Sequence, residues 1–249
     1  MKRMRIALLS DIHANREALE ACLGHAAGMG AERYVFLGDY VGYGADPEWV
    51  IDRIADHVAK GAIALRGNHD SAVSRTDLHM NGIARAAIDW TRSRLDVKQQ
   101  AFLRNLPLQK REGEVLYVHA SADSPGAWHY LTDSAAARRA FGATNARLIF
   151  CGHVHVPCIY RITATAKVIE FAPADGTPVE LSPVWRWLNV VGAVGQPRDR
   201  IPAAAYAMFD TARNTVTHHR VPYDAAGAAA KIRASGLPEV LAARLLQGH

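Results

Sequence analysis

Apolar runs of four or five residues recur along the first 155 positions, and each one stops at a polar turn. Residues 5–10, 33–37, 62–65, 114–119 and 148–151 are short and continuous in their apolar character, which predicts strands buried in a sheet. Between them the spacing changes. Ala18, Leu19, Cys22, Leu23 and Ala26 predict a helix that starts after Asn15 and closes at Gly30, and Pro47 opens another through Trp49, Val50, Ile54 and Val58. Residues 79–106 read as two helices ended by Pro107, and residues 133–141 as a further one capped by Asp133 or Ser134. Beyond Pro157 the segments 159–162, 167–171, 179–181, 204–209 and 215–221 are β-branched or aromatic-rich and separated by turn signals such as Asp175-Gly176, which predicts antiparallel strands. Two closing helices are expected over 225–234 and 237–246. This rhythm predicts an α/β fold in which the polar turns gather beyond the carboxyl ends of the strands. With no linker or solenoid repeat, residues 1–249 read as one domain.

Composition adds limits rather than direction. A chain of 249 residues buries a sizeable core, and its net charge of +5 suits an anionic substrate. The excess is scattered arginine, which argues against a nucleic acid partner. Cys22, Cys151 and Cys158 are odd in number and fit no zinc spacing, so they read as reduced core thiols of a cytoplasmic protein. Residues 6–9 are too short for a signal-peptide core, and no run approaches the length of a membrane span. These limits are compatible with a homo-oligomer.

The chemistry lies in the turns. Asp11 with His13, Asp39 between Gly38 and Gly42, Asn68-His69-Asp70 after Gly67, His119, and His153 with His155 all stand where a strand runs out. A single Asp-x-His does no more than cap a turn, but five such clusters imply a shared metal site. Carboxylate, imidazole and amide oxygen without thiolate suit Mn, Fe, Co, Ni or Zn in a catalytic site. Two such divalent ions need a bridging carboxylate, for which Asp39 in its glycine-flanked turn is best placed. The pair would make a bridging hydroxide available to attack phosphorus, and His69, beside a ligand, would protonate the leaving oxygen. Arg198 is the candidate phosphate clamp, and His129 the candidate substrate contact after His119.

In this order the blocks Asp11-x-His13, Gly38-Asp39-x-x-Gly42, Gly67-Asn68-His69-Asp70, His119 and Gly152-His153-x-His155 resemble the calcineurin-like metallophosphoesterase superfamily over residues 5–157. The resemblance implies a four-layer αββα sandwich of two mixed β-sheets flanked by helices. It also implies that Asp11, His13, Asp39 and His155 hold one ion, that Asp39, Asn68, His119 and His153 hold the other, and that His69 is the acid or transition-state stabiliser. The stretches 194–199 and 236–239 further resemble the small bacterial branch that includes dinucleoside polyphosphate hydrolases, which implies a phosphorylated small molecule or nucleotide as substrate. That branch has Gly-Ser where this chain has Gly192-Ala193, and residues 158–188 look longer than it requires. The added segment, with Trp185 and Trp187, reads as an edge hairpin or as a wall of the substrate mouth. The runner-up is a protein serine/threonine phosphatase, but Gly42-Tyr43-Gly44 stands where those enzymes have Asp-Arg-Gly, and Asp70 where they have Glu. A metal-free binding platform is the alternative from another class; the full ligand set opposes it.

Overall fold

The computed structural model describes residues 3–249. Within them β1 (Arg5–Leu9), β2 (Arg33–Phe36) and β3 (Ile63–Ala64) run parallel, and β1 is joined on its other side by β11 (Ala204–Asp210), antiparallel. β12 (Thr215–Val221) and β9 (Pro178–Glu180) complete this first six-stranded sheet, in the order β3-β2-β1-β11-β12-β9. The second sheet has the order β4-β5-β6-β10-β7-β8, from β4 (Gln109–Glu112), β5 (Val115–Val118), β6 (Leu148–Cys151), β10 (Arg186–Val190), β7 (Cys158–Ile162) and β8 (Val168–Phe171). In it β5, β6 and β10 are parallel, so both sheets are mixed.

The apolar runs explain the layers. In β1, Ile6 and Leu8 point into the space between the sheets, against Val35, Tyr117, Phe150 and Phe209. Ala7 and Leu9 point the other way, toward α1 (Arg16–Gly28) and α2 (Pro47–Ala59). A strand covered on both faces has no polar alternate positions, which is why these segments read as continuous runs. On the far side α6 (Ser134–Gly142) covers the second sheet through Ala136, Ala137, Ala140 and Phe141. The result is the expected αββα sandwich. Three further helices, α3 (Asn68–Ser74), α4 (Gly82–Arg94) and α5 (Val97–Asn105), lie between β3 and β4 in sequence. The closing helices α7 (Ala225–Ala234) and α8 (Glu239–Gln247) pack with Tyr43, Ala84 and Ala87.

Residues 158–188 differ from the expectation of an edge hairpin. β7 and β8 do form a hairpin at the sheet edge, but β7 also pairs inward with β10, and β9 joins the opposite sheet. Trp187 is 2% exposed and fills the space between the sheets, and Trp185 packs against that core with the Arg161 guanidinium 3.9 Å above its ring. Neither forms a wall of the clefts described below. β10 itself was not anticipated, and neither was the charged edge strand β4.

Candidate metal centre

All the parallel strands of both sheets present their carboxyl ends on one edge, and each end carries part of the site. β1 delivers Asp11 and His13, β2 Asp39, β3 the start of α3 at Asn68, β5 His119, and β6 His153 and His155. The loops are tied to one another by backbone: the Asp11 N–H donates to the Gly38 carbonyl at 3.0 Å, and the His13 N–H to the Asp39 carbonyl at 2.9 Å. Asp70 holds the second joint. Its carboxylate accepts from the N–H groups of Asp39 (2.8 Å), Tyr40 (2.9 Å) and Gly67 (2.8 Å). The Tyr40 hydroxyl accepts from the Leu65 N–H at 3.0 Å, so the ends of β2 and β3 keep a fixed separation. Close approach leaves no room for a side chain at Gly38, where φ is +114° and a Cβ would lie 2.7 Å from the Gly67 nitrogen and 2.8 Å from His119 Nδ1.

Asp11, His13, Asp39, His153 and His155 all have positive φ, between 49° and 67°. Left-handed backbone is uncommon for non-glycine residues and collects where the surrounding structure imposes it, often at functional sites.

The imidazoles are oriented by carbonyls behind them. His13 Nδ1 lies 3.1 Å from the Val41 oxygen, His119 Nδ1 3.0 Å from Leu37 O and His155 Nδ1 2.6 Å from Gln196 O, so each ring turns Nε2 inward. His153 is held the other way round, with Nε2 3.0 Å from the Trp128 oxygen, which leaves Nδ1 for the site. Donation to a carbonyl from one ring nitrogen makes the other a lone-pair ligand. The inward atoms meet in two groups, Asp11 with His13 and His155, and Asp39 with His119 and His153, each with ligating atoms within 4.8 Å of one another. A third group of the same size joins His13 and Asp39 to His69.

The donor set fits divalent ions. His13 Nε2 and His155 Nε2 face each other at 3.1 Å although both Nδ1 atoms point to carbonyls, so in the neutral tautomers those carbonyls select two lone pairs oppose each other. Among the described residues Asp11 Oδ1 and Asn68 Oδ1 are buried without a hydrogen-bond partner. Buried acceptors pointing at one another are costly unless a cation satisfies them. Protonation agrees. Burial drives His13 far below the usual imidazole range and His153 to about 3, the neutral form a ligand needs. Asp39 stays ionised: burial alone would raise it, and the neighbouring His119 and His69 outweigh that. Burial would also lower His119, but Asp39 raises it to about 9, so without an ion Nε2 carries a proton toward Asp39 that a bound cation would displace.

His69 sits beside these groups on α3. Its N–H donates to Asp39 Oδ1 at 2.8 Å, and its ring lies 4.8 Å from His13 and 4.5 Å from Tyr43 between centroids. Burial lowers its pKa to about 4, and Nδ1 has no hydrogen-bond partner among the described residues. No carboxylate orients it among the described residues; Asp46 pairs with Lys231 instead.

Arg198 reaches the same side of the site from the carboxyl end of β10. Its guanidinium donates to Gln196 Oε1 at 2.9 Å and lies 5.8 Å from the Tyr43 ring centroid. Among the described residues no carboxylate is within ion-pair range of it, since Asp199 pairs with Arg220, and Asp210 with Arg5 and Arg213. Gln196 thus holds both a candidate ligand, through its carbonyl, and the guanidinium, through its side chain. His129 is not brought to the site: its side chain is 51% exposed and lies 3.5 Å from Asp123. Its neighbours are. Tyr130 stacks on His153 at 4.1 Å between centroids, and Trp128 meets His119 edge-on at 5.9 Å. Sequence reasoning missed Tyr43, Trp128, Tyr130 and Gln196. An aromatic on each side of His129 was the one available signal.

Comparison with known proteins agrees with this geometry. The family model described as calcineurin-like phosphoesterase superfamily domain matches residues 4–214. An uncharacterised protein of Methanocaldococcus jannaschii is 34% identical over 256 residues, covering 100% of both chains. The phosphodiesterase YfcE of Escherichia coli is 33% identical over 132 residues, which cover 47% of this chain and 68% of that protein. The crystal structure of a metallophosphoesterase from Sphaerobacter thermophilus superposes with a TM-score of 0.88 at 37% identity, covering 100% of both chains. This chain belongs to the calcineurin-like phosphoesterase superfamily and is a metal-dependent phosphoesterase.

Proposed function

We propose that the protein hydrolyses phosphodiesters or phosphoanhydrides of small molecules, nucleotides among them, at a centre of two divalent ions. The observation that carries this reading is the pair of facing imidazole nitrogens, His13 and His155, next to unpartnered oxygens of Asp11 and Asn68. Asp11, His13, Asp39 and His155 would hold one ion, and Asp39, Asn68, His119 and His153 the other. Such ions, manganese being the one to try first, supply Lewis acidity that makes hydroxide available near neutral pH and offsets phosphate charge. The chain's own residues do the rest. Arg198, free of a carboxylate, grips a non-bridging phosphate oxygen, and Gln196 keeps it aimed. His69, kept neutral by burial, presents a ring N–H as a hydrogen-bond donor to the oxygen that leaves and stabilises the charge that builds there as the bond to phosphorus breaks, the proton itself coming from water. Three free cysteines support a reducing, cytoplasmic setting.

The test is manganese-dependent hydrolysis of a phosphodiester, a phosphomonoester and diadenosine tetraphosphate, with a chelator control. Wild type is expected to turn over the diester or the dinucleotide and to lose activity in chelator. His69→Ala should retain metal and lose at least about a hundredfold in kcat, most for poor leaving groups. Equal turnover by His69→Ala on every substrate would remove that residue's role. A metal-loaded wild type inert on all three would remove the proposed substrate class.

A further inference from the structure

Next to Asn68 and His153 lies a cleft of about 360 Å³ that the proposed chemistry does not use. One wall is Trp128 and Tyr130; the facing wall is Leu78 and Met80, from the segment between α3 and α4. Its volume falls in the range of small-molecule sites. The aromatic wall is held in place: Trp128 has φ +57°, its carbonyl is engaged by His153, and Tyr130 lies nearly flat on that imidazole, 26° between planes, while 53% exposed. The other wall is pinned by Arg85, which donates to the Leu78 carbonyl. His69, Tyr43 and Arg198 are not among the walls, so the group received here is the ester substituent that stays on phosphorus.

We infer that this cleft is a nucleoside subsite, seating a planar base between the 128–130 loop and the 78–80 segment. The inference rests on the phosphodiesterase reading above and names its retained arm. A base suits the walls better than an alkyl chain does. Flat aromatic and thioether surfaces stack on any base, whereas an alkyl chain offers them no flat face to stack on.

Two manganese-dependent esters with the same leaving group separate the possibilities: thymidine 5′-(p-nitrophenyl phosphate) and methyl p-nitrophenyl phosphate. Wild type is expected to favour the thymidine ester at least about tenfold in kcat/KM, the loss of one stacked base being of that order. Met80→Ala and Tyr130→Ala should each bring the ratio toward one. Calorimetry gives a readout independent of turnover: AMP should bind at least about tenfold tighter than ribose 5-phosphate, an advantage lost in Met80→Ala. Equal turnover of the two esters together with equal binding of the two phosphates overturns the subsite and leaves the phosphodiesterase reading standing. If neither ester is turned over, that reading fails, and the AMP comparison decides the subsite alone.

Discussion

Asp70 shows how much of the centre depends on a residue that need touch no ion. Three backbone N–H groups from two loops converge on its carboxylate, so it sets the distance between Asp39 and the start of α3. Asp70→Asn would put an NH2 group against one of those donors. We expect a loss of about 3 kcal/mol in urea unfolding, with manganese affinity falling alongside. Unchanged stability would mean the loops hold their spacing without it. Asp39→Asn tests a different property: folding should survive, but activity should drop below detection and bound manganese per chain should fall. At this scale the sequence was most legible where chemistry is rarest. Buried Asp, Asn and His at strand ends have few other uses, so the ligand candidates stood out and the structure brings them together. Tyr43, Trp128 and Tyr130 did not stand out because aromatics are ordinary core residues, and only the fold tells an exposed ring on a histidine from a buried one.

Among the elements, the helices and most strands follow from spacing and caps: Asn15, Asn81, Asp96 and Asp133 each cap a helix through the side chain. β10 escaped because Arg186 and Asn189 interrupt its apolar run, although Asn189 is buried. β12 carries another irregularity. His218 faces the second sheet with Nε2 3.3 Å from the Val190 oxygen, and burial lowers its pKa to about 4. The folded state holds it neutral, whereas the unfolded chain protonates near 6.5. Stability from this group is therefore intact above pH 6.5 and is lost as pH falls toward 4, by about 3 kcal/mol in all. Urea unfolding at pH 7 and pH 5 should show that slope added to the slopes of the other histidines that burial keeps neutral, and His218→Leu should lower the total by about one proton's worth. A variant with the same slope as wild type would place the titration elsewhere.

For the whole molecule, ligand binding and folding are linked. Lone pairs that oppose each other in the metal-free site are a local cost, which bound ions remove only in the folded state. At a hundredfold excess over the dissociation constant, manganese should stabilise by about 3 kcal/mol, raising Tm by about 5 to 10 °C, and chelator should reverse it. A Tm indifferent to manganese would show that the ligands do not bind it. The layered architecture was legible from the alternation of apolar runs and helical spacing. The strand order was not, since register across 200 residues leaves no local trace.

That order has a consequence for synthesis. Every candidate ligand has left the ribosome once residue 155 emerges, yet β1 lies beside β11, and β6 beside β10. Until residues 186–210 follow, two apolar strands that carry ligands have an open edge. The nascent chain at that stage holds the complete set of ligating residues without the frame that aims them, and its exposed edges are ready partners for other unfinished chains.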